Sequence, residues 1–352
     1  MKCRHCQNEL TLPFLDLGSS PPSNAYLTQA ALQYPEKWFP LRVLVCENCW
    51  LVQTEDFAQA DELFSPDYAY FSATSSSWLA HAESYVTQMV KRFTLNNRSH
   101  VVEVAANDGY LLQYVKGRGI PCTGIEPTAS TAAAARAKGI EIIESFFGKT
   151  LADELSKLGK TADLMVATNV LAHVPDINDF GSGFTRLLKA QGVVTFEFPH
   201  LLNLVKLCQF DTIYHEHYSY LSLTAVIKIL HSNGLKVFDV EELPTHGGSL
   251  RVFAHRMDVP EDKFDYSMYY RVNEILKKES DAGVNTAAFY RGFQSRVEFV
   301  KNNFLEFLLG AKKQGKKVAA YGAAAKGNTL LNFAGIRPDL ISFVVDRSIS
   351  KQ

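Results

Sequence analysis

Residues 214–220 of this 352-residue chain read Tyr-His-Glu-His-Tyr-Ser-Tyr: two imidazoles, a carboxylate, a hydroxyl and three phenols in succession. Each of these polar groups needs a partner once buried, and titratable and aromatic groups this dense mark sites more often than scaffolding. The chemistry they suit is removal of a carbon-bound proton beside a bound cofactor. The bland alternative is a polar surface loop. A zinc site is an unattractive reading, because His215-Glu216-His217 lacks the H-E-x-x-H spacing and a clear third ligand.

Such a cluster needs elements to hold it. Near the start, Cys3 and Cys6, then Cys46 and Cys49, form two C-x-x-C pairs. Two thiolate pairs on tight turns supply the four tetrahedral ligands of a structural zinc ion. An apolar run over 41–45, the second pair and Trp50-Leu51-Val52 read as a strand, a knuckle and a returning strand. The closed ligand set leaves no open position for catalysis. Cys122 and Cys208 fall in apolar contexts and are read as plain core residues. Pro21-Pro22, flanked by Gly and Ser, marks an ordered loop over 17–26.

From residue 100 onward strands and helices alternate. Strands are read at 100–106, 122–126, 140–143, 162–167 and 192–198, with helices at 110–116 and 128–138. This pattern gives a doubly wound parallel sheet. Segments 237–242 and 249–254 have no helix between them and read as an antiparallel hairpin at the sheet edge. Glu103 lies in the first strand, and Glu126 ends the second, where a carboxylate can accept both hydroxyls of a ribose. The loop through Ala105, Asn107 and Gly109 lacks the full G-x-G-x-x-G and any phosphate-binding Lys. An adenosine ligand without phosphates fits, and S-adenosylmethionine is the obvious one.

At this point the chain resembles the sugar C-methyltransferases of deoxysugar biosynthesis. The resemblance rests on the paired C-x-x-C motifs, YAYFS at 68–72, EVAANDG at 103–109, GIEP at 124–127 and NVLAHV at 169–174. The most specific strings are FDTIYHEHYSY at 210–220, HGGSLR at 246–251 and YGAAAKGN at 321–328. Ala105 and Ala106 stand where the family commonly has Gly and Ser. The resemblance implies a nucleotide-linked 4-keto-6-deoxysugar methylated at C3, through an enolate formed by a base. His217 is then the base, Tyr214 a donor to the enolate oxygen, and Glu216 an orienting or sugar-binding group; His215 is a packing residue. Glu126 is expected on the ribose, the 105–109 backbone on the methionine part, and Glu103, Tyr70 and Asn169 beside the cofactor. The turn at His246, Gly247 and Ser249 can approach the substrate closely, and Arg251 can pair with its diphosphate. A glycine turn entering a helix at Lys326 suits the same anion; a vestigial second cofactor fold is the other reading of that region.

The expected architecture is α/β: a zinc-binding module (1–67), a central class I, Rossmann-like methyltransferase domain (68–260), and a C-terminal helical segment with a Rossmann-like half domain (261–352). Helix is read over 262–313, with strands at 317–321 and 340–345. Family members continue beyond this half-sheet, which therefore reads as shortened or truncated. The net charge of -1 steers toward neither nucleic acid nor anionic membrane, and no apolar run spans a bilayer. With no secretory h-region at the start, the location is read as cytoplasmic, and no obligate protein partner is evident. Two other functions stay open: an O-methyltransferase of a small hydroxylated metabolite, and a catalytically silent binding protein.

Overall fold

The computed structural model describes residues 1–24, 27–57 and 71–346. Tyr70 and the YAY portion of its motif lie outside the described residues. Three antiparallel strands open the chain: β1 (Leu12–Ser20), β2 (Phe39–Val45) and β3 (Val52–Thr54). The knuckle Cys46–Cys49 joins β2 to β3, as its spacing requires. After helix α1 (Ser76–Arg92), strand β4 (Val101–Val104) leads to α2 (Leu112–Lys116) and β5 (Cys122–Ile125). Then come α3 (Ala129–Ala137), β6 (Glu141–Ile143), α4 (Lys149–Lys157), β7 (Ala162–Thr168), α5 (Ile177–Leu187) and β8 (Leu188–Pro199). α6 (Leu201–Lys206) and the two-residue β9 (Ser219–Tyr220) flank the His-Glu-His segment; α7 (Leu223–Ser232), β10 (Leu235–Leu243) and β11 (Ser249–Arg256) complete the central unit.

The main sheet has the order β10-β11-β8-β7-β4-β5-β6. Its strands are parallel from β8 to β6, and the β10–β11 hairpin is antiparallel at the edge, as expected. All four residues of β4 are buried, the mark of a parallel strand covered on both faces. Connections run outward in opposite directions from β4 and β7. A crevice therefore opens at their carboxyl ends, the place where such sheets bind ligands.

β9 does not join this sheet. It pairs with β3, Val52 opposite Tyr220 and Gln53 opposite Ser219, and becomes the fourth strand of the first sheet. The cysteine module and the central unit thus share one hydrogen-bonded ladder.

The C-terminal region departs from the sequence reading. In place of one helical run there are α8 (Tyr269–Ala282), α9 (Ala287–Tyr290) and α10 (Phe293–Lys313). Gly283 (φ 87°) and Gly292 (φ 81°) take the left-handed conformation that closes one helix and precedes another. The last two strands shrink to β12 (Ala320–Tyr321) and β13 (Val344–Val345), a two-stranded parallel pair around α11 (Ala325–Phe333). Single backbone bonds, such as that from the Ser342 amide to the Val318 carbonyl at 3.2 Å, continue the pairing beyond the two strands, and among the described residues no third strand joins this sheet. Cys122 and Cys208 are half-buried rather than core residues.

α8 is fastened to the central unit by Glu279, which is fully buried. Its carboxylate accepts from the backbone amides of Leu223 and Thr224 at the start of α7, from Thr224 Oγ1, and pairs with His200 Nε2 at 2.7 Å. Burial alone would raise the Glu279 carboxyl, but these donors outweigh it and hold it below the usual range.

Candidate active site

A cavity of about 600 Å³ occupies the crevice, a size suited to small-molecule ligands. Its floor is made by the turn after β4 and the ends of β5 and β7. Glu126, at the end of β5, is buried; Oε2 accepts the Asn107 amide at 2.9 Å and Oε1 the Thr128 amide at 3.0 Å. A carboxylate has about four acceptor positions, so two remain for the hydroxyls of a diol. Asn107 in turn accepts the Ser72 amide at 2.9 Å, and Asp108 the Ala73 amide at 3.1 Å, which draws residues 72–74 to the cavity rim.

Backbone strain concentrates here. Ala105 (φ 59°), Asn107 (φ 50°), Asn169 (φ 55°) and His246 (φ 51°) all take left-handed conformations and all line the cavity. Such conformations are costly for residues with a Cβ and gather at functional sites. Asn169 Nδ2 donates to His246 Nε2 at 3.1 Å, while its buried Oδ1 has no protein partner. Asn169 lines the cavity, and an acceptor without a protein partner suits a hydroxyl or ammonium donor from a ligand.

The opposite wall is the segment around His217. The turn at 210–213 is held by α11, where Thr329 Oγ1 donates to the Ile213 carbonyl at 2.9 Å. His217 Nδ1 lies 2.9 Å from the carbonyl oxygen of Thr212. A carbonyl only accepts, so the ring proton sits on Nδ1 and Nε2 keeps its lone pair. The Tyr214 ring packs on His217 with centroids 4.0 Å apart, and His173 meets it edge-on at 4.6 Å. Burial, then the charges that His173, His246 and Lys326 would carry, push the His217 pKa well below the usual imidazole value. Burial holds His173 down to about 4. Both rings are therefore neutral near pH 7. Glu216 is buried and its two oxygens accept from Asn24 Nδ2. His215 turns from the cavity toward the carbonyls of Phe39 and Pro40, both at 3.2 Å. Lys326, in the first turn of α11, also lines the cavity.

The sequence-derived residues thus converge in part. His217, Tyr214, Glu216, Ala105, Asn107, Glu126, Asn169, His246 and Lys326 share the cavity. Glu103, Gly109, Gly247, Ser249 and Arg251 are not in its wall. Glu103 is buried inside β4, where desolvation pushes its carboxyl well above the carboxylate range. Gly109 (φ 74°) has a packing reason, since a Cβ there would lie 2.5 Å from Ile140. Gly247 is packed against Gln209, and Ser249 Oγ closes its own turn on the Thr245 carbonyl at 2.9 Å. Arg251 is buried and engaged by Glu197 at 3.0 Å and Glu241 at 3.1 Å; a paired guanidinium in a strand is no free anion hook.

Sequence reasoning missed Asn24, Trp78 and His173, all of which line the cavity. Trp78 packs against His81 (4.8 Å), His246 (5.1 Å) and Tyr110 (6.0 Å). His81 and Arg251 hold Glu197: burial raises its carboxyl, but their hydrogen bonds and charges outweigh that and keep it ionised. His173 sits in the NVLAHV string, where a lone His among apolar residues was the available signal.

Beyond the cavity, the Sγ atoms of Cys3, Cys6, Cys46 and Cys49 all lie within 4.8 Å of one another. Cys3–Cys49 and Cys6–Cys46 are 3.5 and 3.4 Å apart. Four sulfurs about 2.3 Å from a tetrahedral zinc are separated by roughly 3.8 Å, so the set fits a structural zinc ion. Among the described residues no helix is long and apolar enough to cross a membrane.

Family models match three consecutive stretches: "Putative zinc binding domain" at 3–64, "Methyltransferase domain" at 78–240 and "C-methyltransferase C-terminal domain" at 244–352. The C-methyltransferase NovU of Streptomyces niveus is 33% identical over 351 residues, covering 100% of this chain and 82% of that protein. Among solved structures, the magnesium protoporphyrin IX methyltransferase of Synechocystis PCC 6803, with bound SAH, is 18% identical over 51% of this chain and 83% of its own, with a TM-score of 0.41. An S-adenosylmethionine-dependent methyltransferase of Clostridium acetobutylicum ATCC 824 is 11% identical over 49% of this chain and 90% of its own, also at a TM-score of 0.41.

Proposed function

Since the chain belongs to the C-methyltransferase family and is an S-adenosylmethionine-dependent methyltransferase, we propose that it methylates C3 of a nucleotide-linked 4-keto-6-deoxysugar through an enolate, with His217 as the base. The observation that carries this reading is the tautomer of His217. Its Nδ1 proton is committed to the Thr212 carbonyl, so Nε2 offers a lone pair to the cavity in a ring kept neutral.

Carbon next to a ketone becomes nucleophilic once its proton leaves. His217 Nε2 takes that proton, and the electron pair moves onto the ketone oxygen. Tyr214, packed on the His217 ring, donates to the oxyanion. S-adenosylmethionine supplies the electrophilic methyl group when bound. Glu126 accepts the ribose hydroxyls, the left-handed turn at Ala105 and Asn107 presents its backbone to the methionine part, and Asn169 Oδ1 receives a donor of the same ligand. Lys326 and the first turn of α11 neutralise the diphosphate of the sugar nucleotide. His246 lines the substrate side of the cavity. A low pKa makes His217 a weak base; an anionic substrate beside it offsets the effect of the Lys326 charge and strengthens it. The chain's division into a module over 1–67, a methyltransferase domain over 68–260 and a substrate domain from 261 is part of the same proposal.

The test is mass spectrometry of products from a panel of nucleotide-linked 4-ketosugars, with wild type and His217→Asn side by side. Wild type gains one methyl on carbon. The variant keeps its S-adenosylmethionine affinity and loses roughly 100- to 10,000-fold in rate. Methyl gained on oxygen, or an unimpaired variant, would overturn the reading.

A further inference from the structure

The Pro-Pro loop leaving β1 reaches Asn24, and among the described residues of the cysteine module this is the one that lines the cavity. Its Nδ2 lies 2.8 Å from Glu216 Oε1 and 3.0 Å from Oε2, spanning 192 positions of sequence. Glu216 is 2% exposed and stands between Tyr214 and His217 in the wall. We propose that Asn24 is a positioning residue for the reaction: the module extends one amide into the site and fixes the Glu216 carboxylate there. The inference rests on reading residues 214–217 as catalytic.

The other ties between the module and this segment have a different character. Thr54 Oγ1 donates to the His217 carbonyl at 3.0 Å, the Thr54 amide donates to the Tyr218 carbonyl at 3.2 Å, and β3 pairs with β9. These fix the backbone. His215 packs on the carbonyls of Phe39 and Pro40, outside the cavity. Asn24, by contrast, grips a side chain that lines the cavity. A buried carboxylate held by an amide donor has its rotamer chosen and keeps acceptor positions for a hydroxyl of the substrate. Loss of the amide removes the donor that both carboxylate oxygens share, and misplacement of a group at the reacting centre by about 1 Å is enough to lower the rate ~100-fold.

Two variants test this. Asn24→Ala removes the donor. Asn24→Asp keeps the volume and replaces the N–H with a second carboxylate that repels Glu216. Zinc content, melting temperature and calorimetric S-adenosylmethionine affinity are measured first; zinc and cofactor affinity are expected to match wild type, and the melting temperature to fall, more in Asn24→Asp, because a buried carboxylate loses its donor. Their kcat is expected to fall roughly 10- to 100-fold, with KM for the ketosugar nearly unchanged. Asn24→Asp with wild-type kcat, or a loss confined to KM, would overturn the proposal. If Asn24→Ala loses the metal, Asn24→Asp carries the kinetic test. Wild type and His217→Asn run in parallel: an active wild type, an inactive His217→Asn and normal Asn24 variants sink this inference alone. Should wild type prove inert on every ketosugar, the reading of the function fails, and a crystal structure of the better-folded variant decides the contact. A displaced Glu216 carboxylate supports it and an unmoved one overturns it.

Discussion

His173 and His217 set the acid behaviour of the site. His173 is held down to about 4 by burial, and burial together with the charges its neighbours would carry pushes His217 well below the usual imidazole value. An unfolded imidazole titrates near 6.5, so as pH falls the unfolded chain binds these protons first. The sign follows directly: the stability they contribute is complete above about 6.5 and is lost progressively toward pH 4. Urea unfolding should give a constant midpoint between pH 8 and 7 and a falling one between 6.5 and 4. In His173→Asn that acid-side fall should shrink; an unchanged profile would mean that His173 titrates normally. The cluster at 214–220 was legible in the sequence because polar aromatics so dense need partners. Which imidazole carries the free nitrogen was not, since the Thr212 carbonyl that decides it is fixed by the turn, not by residue type.

At the scale of single elements, the end of β5 and the turn after β4 act as one unit. Glu126 holds the amides of Asn107 and Thr128, so it shapes the turn as well as offering acceptors to a ligand. Glu126→Ala should weaken S-adenosylmethionine by roughly 1.5–3 kcal/mol, the scale of a hydrogen bond to a charged group. Calorimetry would check this, and unchanged affinity would move the cofactor elsewhere. The strand-helix alternation and the edge hairpin could be read from periodicity, because buried parallel strands are apolar throughout. Arg251 could not: its position in a conserved-looking turn motif suggested an anion, whereas its partners Glu197 and Glu241 come from neighbouring strands of the sheet. The break of the helical run at Gly283 and Gly292 was visible as glycines, but their left-handed geometry depends on where the flanking helices pack.

Across the whole molecule, the four-cysteine cluster and the cavity are coupled through the β3–β9 ladder and Asn24. Cys46→Ser should lower bound zinc below one per chain by metal analysis, and methyl transfer should fall with it beyond the fraction of protein that unfolds. Full activity in folded, metal-free protein would show that the module stands on its own. The cysteine spacing announced the metal; nothing in it announced that the fourth strand of the module's sheet would be the end of the 214–220 cluster. That strand also constrains how the chain can be made. Thr54 finds its acceptor in His217, 163 residues further on, so the cysteine module waits for the segment around His217 before its sheet is complete. Domains usually fold in order of synthesis, and long-range pairing is slow. Here the cysteine module keeps an open edge at β3 while β4 to β8 are being made, and closing that edge brings the module onto the segment that lines the cavity.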